Sequence, residues 1–126
     1  MEYLILSGLK FNSFIGHFDE EKFIGTNFEI DLKIKADLLN AAKTDYLSDT
    51  LNYVEIYNDI KLIMQKKVNL IENISFLITD MLFSKYSSIE HIYLTVKKIG
   101  TQIGGKFNYV ATEFDFSRKQ WFEKNN

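Results

Sequence analysis

Residues 28–37, FEIDLKIKAD, alternate without a break. Phe28, Ile30, Leu32, Ile34 and Ala36 take every second place, and Glu29, Asp31, Lys33, Lys35 and Asp37 fill the places between. Successive side chains of a strand point to opposite faces, so ten residues of period two predict one long strand with an apolar face and a wet face. A wet face is the mark of an antiparallel sheet, because parallel sheets are covered on both sides.

The other segments fit around this strand. Residues 3–11 are apolar and β-prone, with Gly8 interrupting them as a bulge would. In HIYLTVKK, Ile92, Leu94 and Val96 alternate with His91, Tyr93, Thr95 and Lys97; in FNYVATEFDF, Val110, Thr112, Phe114 and Phe116 share a face. Between the strand pairs the period changes. Residues 38–44 read as a helical turn and 44–50 as a loop. From Asn52 to Lys66, Val54, Tyr57, Ile60, Ile63 and Met64 recur at three and four, the pattern of an amphipathic helix capped by Asp49 or Thr50. Residues 70–85 carry a wider apolar face (Leu70, Ile71, Ile74, Leu77, Ile78, Met81, Leu82) and predict the more buried helix. The order ββααββ implies an α+β domain: a four-stranded antiparallel sheet with two helices on one face. A length of 126 residues suits a single domain over 1–126.

Composition narrows the function. A net charge of -2 lacks the basic footprint of a nucleic-acid binder. With no cysteine, disulfides and thiolate metal sites are excluded. His17 and His91 are the only histidines and form no metal-ligand spacing, so no metal is expected. Asp19, Glu20 and Glu21 read as a solvated acidic loop. MEYLILSGLKF lacks the basic region and cleavage site of a signal peptide, and no apolar run nears the ~20 residues of a membrane span. The expectation is a soluble, cytoplasmic protein.

Two residues stand out. Lys98 shares the parity of Ile92, Leu94 and Val96, the side meant for the helices. Either the strand ends at Val96 or Lys97 and Lys98 snorkels into water, or Lys98 faces a cleft, where partial burial and the neighbouring Lys97 lower its pKa and improve it as a base. Asn69-Leu70-Ile71-Glu72 has the spacing of a capping box. Glu72 thus either starts a helix or binds something; in the second case Asn69 caps alone.

The ordered set Gly16, Glu21, Gly25, Thr44-Asp45, Asp49-Thr50-Leu51-Asn52-Tyr53, Asn69-Leu70-Ile71-Glu72 and Val96-Lys97-Lys98 resembles dihydroneopterin aldolase over residues 3–116. The resemblance implies the tunnelling fold, whose ββααββ order matches the independent reading, and subunits joined as a homo-tetramer or homo-octamer with sites between neighbours. It implies a cytoplasmic folate-biosynthesis lyase that splits 7,8-dihydroneopterin into 6-hydroxymethyl-7,8-dihydropterin and glycolaldehyde, using no cofactor. By position, Lys98, Tyr53 and Glu21 would be catalytic. Glu72, Ile71, Leu51 and Asn52 would bind the pterin. The chain departs from many members at Phe14-Ile15-Gly16, where Tyr-His-Gly is common, and at Gly100-Thr101-Gln102, where Asn-Pro-Pro is common. The loop holding Lys98 is therefore expected to be less restrained. Two further readings follow: an epimerase acting on dihydroneopterin or its triphosphate, and a non-catalytic pterin- or purine-binding module of the same fold.

Overall fold

The computed structural model describes residues 1–13, 26–66, 68–100 and 108–125. Strands β1 (Glu2–Ser13), β2 (Thr26–Ala36), β3 (Ile89–Ile99) and β4 (Tyr109–Ser117) form one antiparallel sheet in the order β1-β2-β3-β4. Between β2 and β3 come α1 (Leu39–Thr44), a 3₁₀ turn (Leu47–Asp49), α2 (Tyr53–Met64) and α3 (Ile71–Lys85); α4 (Arg118–Lys124) follows β4. This is the tunnelling fold, and the ββααββ frame is as the sequence predicts.

The apolar half of the alternating segment, Phe28 to Ala36, is wholly buried in the core. Opposite these residues lie Ile92, Leu94 and Val96 of β3 and Ile74, Ile78 and Leu82 of α3, all buried. Each such side chain contributes roughly 1.5–3 kcal/mol relative to exposure. The break at Gly8 is a bulge: the β1–β2 register shifts between Leu6 and Leu9. Gly8 takes φ +68°, and its N–H donates to Asp31 Oδ1 at 2.7 Å. The shift lets Leu4, Leu6, Leu9 and Phe11 all pack against the core despite their change of parity.

Four details differ from the sequence reading. The cap of α2 is Asn52, not Asp49 or Thr50: Asn52 Oδ1 accepts from the N–H groups of Val54 (3.0 Å) and Glu55 (3.4 Å). Asp49 is engaged elsewhere, accepting from the Thr44 hydroxyl at 2.6 Å. The buried stripe of α2 is Ile56, Ile60, Ile63 and Met64, while Val54 is exposed, because the helix is rotated so that Ile56 rather than Val54 continues the stripe.

α3 begins one residue later than its sequence signal. Leu70, exposed, holds the cap position with no side-chain cap bond, so Asn69 does not cap the helix. α3 does bury more than α2, six residues against four.

The fourth detail is α4, which the sequence reading leaves out. Ser117 Oγ accepts from Gln120 N–H (3.1 Å) and Gln120 Oε1 accepts from Ser117 N–H (2.9 Å), a complete capping box. The helix drives Trp121 into the core against Phe76, Phe83, Phe114 and Phe116, with its indole N–H on Asp80 Oδ1 at 3.1 Å.

Candidate active site

Lys98 lies inside β3. It pairs with Phe28 on one side and Val110 on the other, and the strand continues to Ile99. The alternative in which the strand stops at Val96 or Lys97 is overturned, and so is the expectation that a loop holds Lys98. The ladder on both sides fixes its backbone, and its half-buried side chain takes the parity of buried Val96 and Leu94. Lys97 takes the other face, where its Nζ is 3.1 Å from Asp31 Oδ2. That hydrogen bond raises the Lys97 ammonium above its ordinary value. The two lysines are thus sorted to opposite faces, and the charge of Lys97 is compensated by Asp31.

Glu72 stands at the second position of α3, not the third, because the helix starts at Ile71. The capping-box geometry is therefore lost. Among the described residues Glu72 has no hydrogen-bond partner, and its exposed carboxylate sits where the helix's positive end favours an anion. Ile71 is half-buried against the core.

The position of Glu72 relative to Lys98 follows from one contact. Ser75, one turn after Ile71, meets the Thr112 hydroxyl at 2.6 Å. Thr112 pairs with Val96 and Val110 pairs with Lys98. Further along, Asp80 meets Trp121 and Phe83 O accepts from Arg118 Nη1, so α3 runs in the direction of β4. The first turn of α3 therefore lies at the Lys98 end of the sheet. An open groove of about 530 Å³ at that end is lined by Phe11, Phe28 and Ile99 among others.

Leu51, Asn52 and Tyr53 lie elsewhere. Leu51 is buried, Asn52 spends its side-chain oxygen on the α2 cap, and Tyr53 is 60% exposed. Lys85, in the last turn of α3, reaches Glu55 at 3.0 Å, which places the start of α2 beside the end of α3. A second groove of about 530 Å³, lined by Leu51, Asn52, Glu55 and Tyr86, marks the place. The 15 residues of α3 span roughly 20 Å. The two groups singled out in the sequence, Ile71–Glu72 with Lys98 and Leu51–Tyr53, thus lie at opposite ends of α3.

Glu21, with Gly16, Gly25, His17 and the Phe14-Ile15-Gly16 departure, lies outside the described residues, as do Thr101 and Gln102. Gly100 is described: its φ is +65° and its N–H donates to Asn108 O at 3.1 Å. Among the described residues no helix is long and apolar enough to cross a membrane.

The family model for dihydroneopterin aldolase matches residues 4–115. The chain belongs to the dihydroneopterin aldolase family. A dihydroneopterin aldolase of Streptococcus pyogenes is 31% identical over 119 residues, covering 94% of this chain and all of the relative. The fold is shared with an Escherichia coli dihydroneopterin aldolase solved in complex with neopterin (TM-score 0.79, 21% identity, 90% of this chain and 99% of that one). It is shared also with a Burkholderia dihydroneopterin aldolase bound to guanine (TM-score 0.74, 13% identity, 92% and 90%). The activity is that of this aldolase family, a carbon–carbon lyase step of folate biosynthesis.

Proposed function

We propose that this aldolase works at a composite site in which Glu72, Ile71 and Lys98 of one subunit face Leu51, Asn52 and Tyr53 of a neighbour. The observation that carries the reading is the placement of the two groups at opposite ends of α3, too far apart for one chain to close a pocket around a small molecule. Association supplies the missing half. Among the described residues the outer edges of β1 and β4 are unpaired, and Tyr3, Ile5, Tyr109 and Val110 on these strands are exposed. Subunits joined edge to edge in a ring, as a tetramer or a stacked octamer, pair those edges. Residues 1–126 form one aldolase domain in this reading, since Trp121, beyond the matched segment, is part of the same core.

The ligand follows from the acceptor. The two oxygens of Glu72 match the paired N–H donors on the amino-pyrimidine edge of a pterin, an edge that neopterin and guanine share. The N–H of Ile71, at the open first turn of α3, adds a donor. In 7,8-dihydroneopterin the C2′ hydroxyl loses its proton, with Lys98 and Glu21 managing the transfer through a water. The C1′–C2′ bond breaks and its electron pair flows into the ring's C6=N5 imine. Glycolaldehyde leaves, and Tyr53 protonates C1′ to give 6-hydroxymethyl-7,8-dihydropterin. The ring itself is the electron sink, so the step calls for no cofactor. A cytoplasmic location belongs to the same reading.

Incubation of the pure protein with 7,8-dihydroneopterin is expected to release glycolaldehyde, and its mass in solution is expected to be that of four or eight chains. No glycolaldehyde, or a fully active monomer, overturns the proposal.

A further inference from the structure

The Tyr53 segment has no strand ladder to hold it. Its geometry depends on how α2 is fixed, and α2 is gripped at one place by charged groups. Lys85 Nζ lies 3.0 Å from Glu55 Oε1 and 2.8 Å from Asp59 Oδ2, so two carboxylates one turn apart on α2 hold one ammonium from α3. The Tyr86 hydroxyl donates to the same Asp59 Oδ2 at 2.8 Å. Asp59 is the more enclosed acid, its side chain 17% exposed against 47% for Glu55. Burial pushes the Asp59 carboxyl up, but the hydrogen bonds from Lys85 and Tyr86 outweigh it and hold the group below the usual carboxylate range.

The far side of this contact is fixed as well. Arg118 of α4 donates from Nε to Ile89 O (2.8 Å), from Nη1 to Phe83 O (3.0 Å) and from Nη2 to Tyr86 O (2.6 Å). One guanidinium thus closes the C-terminal end of α3 onto the start of β3. Tyr86 is anchored through its backbone while its hydroxyl reaches α2.

We propose that Asp59, held by Tyr86 and Lys85, is a positioning residue that sets where Tyr53 stands for proton donation. The inference rests on the assignment of Tyr53 made above. Asp59 does not touch the substrate; it fixes α2, and Asn52 transmits the placement through the cap it makes on the first turn. A slack brace lets Tyr53 drift, and a drift near 1 Å costs up to about 100-fold in rate. Since the apolar stripe of α2 still packs, the fold is retained and the loss falls on kcat.

The test is a double-mutant cycle on the assembled enzyme with 7,8-dihydroneopterin, using Asp59→Asn, Tyr86→Phe and Tyr53→Phe. Tyr86→Phe deletes only the hydroxyl, so it remains informative should Asp59→Asn fold poorly. Each brace variant is expected to lower kcat about tenfold, with KM within about twofold, melting within a few degrees and mass unchanged. Added to Tyr53→Phe, neither is expected to lower kcat further. Additive losses, or parental kcat in both brace variants, overturn the proposal. Parental kcat in Tyr53→Phe overturns instead the assignment of Tyr53, a different result from the others.

Discussion

The hydroxyls of Ser75 and Thr112 meet 2.6 Å apart, and through them the first turns of α3 are tied to the strand that flanks Lys98. Ser75 is buried and also donates toward Ile71 O at 3.4 Å. Thr112→Val keeps the side-chain shape and removes one partner. It is expected to cost about 1 kcal/mol in urea unfolding. Because the contact holds the Glu72 end of α3, KM for dihydroneopterin is expected to rise in the same variant; an unchanged KM counts against that coupling.

Lys98→Ala and Glu72→Ala separate chemistry from binding. Lys98→Ala is expected to lower kcat by roughly 10²–10⁴, the usual worth of a positioned acid–base group, with pterin binding retained. Glu72→Ala removes a charged acceptor and is expected to weaken pterin binding tenfold or more. Since Glu72 takes no part in capping α3, its loss should change stability by less than ~0.5 kcal/mol, and the oligomer should persist. Calorimetric titration with neopterin beside steady-state kinetics checks both; turnover and binding unchanged in Lys98→Ala would remove Lys98 from the mechanism.

Gly100, directly after β3, takes a left-handed backbone conformation that few side chains adopt. Its φ of +65° is closed to proline, and its N–H is bonded to Asn108 O. Gly100→Pro is expected to destabilise the protein by about 2–3 kcal/mol. For Gly100→Ala no described residue comes within 4 Å of the added methyl, so the backbone strain of about 1–2 kcal/mol is expected. Thermal unfolding of the two variants gives the order.

Asp31 gives a pH signature. Burial raises its carboxyl, but the Gly8 N–H, with help from Lys97 and Ser7, outweighs that and holds it below the ordinary 3.8. A depressed folded-state value means a contribution present above the unfolded pKa and lost as pH falls through the folded one. Asp31→Asn is therefore expected to be less stable than the parent by about 1 kcal/mol near neutral pH. The gap should close as pH drops below about 4. A gap that stays constant down to pH 2 would show that the charge of Asp31 is not involved.

The sheet was legible because its central strand has one wet face. From Phe28 to Ala36 the alternation is uninterrupted, and every inward residue is buried. Helix phase was harder to read. Val54 and Ile56 are both apolar, and only packing against the sheet decides that Ile56 goes in. The capping-box spacing of Asn69 and Glu72 misled, since the helix starts at Ile71 and spacing alone does not fix its first residue. α4 had its signal in plain view, Ser117 and Gln120 three apart, ahead of the single tryptophan. The face that Lys98 takes was legible by parity, one step on from Ile92, Leu94 and Val96. That Leu51–Tyr53 and Glu72 sit at opposite ends of α3 is a matter of chain direction, which no local pattern reports. The grip of Lys85 and Tyr86 on Asp59 joins residues 26 and 27 positions apart, beyond any helical period.

The burial of Trp121 also bears on how the chain matures during synthesis. Until residues 118–124 leave the ribosome, Phe76, Phe83, Phe114 and Phe116 lack the ring that covers them, and the carbonyls of Phe83, Tyr86 and Ile89 lack the Arg118 guanidinium. The nascent sheet and helices then carry an open aromatic seam, a surface that invites association with other chains. Sealing that seam waits for α4, which can dock only after the whole sheet has been made.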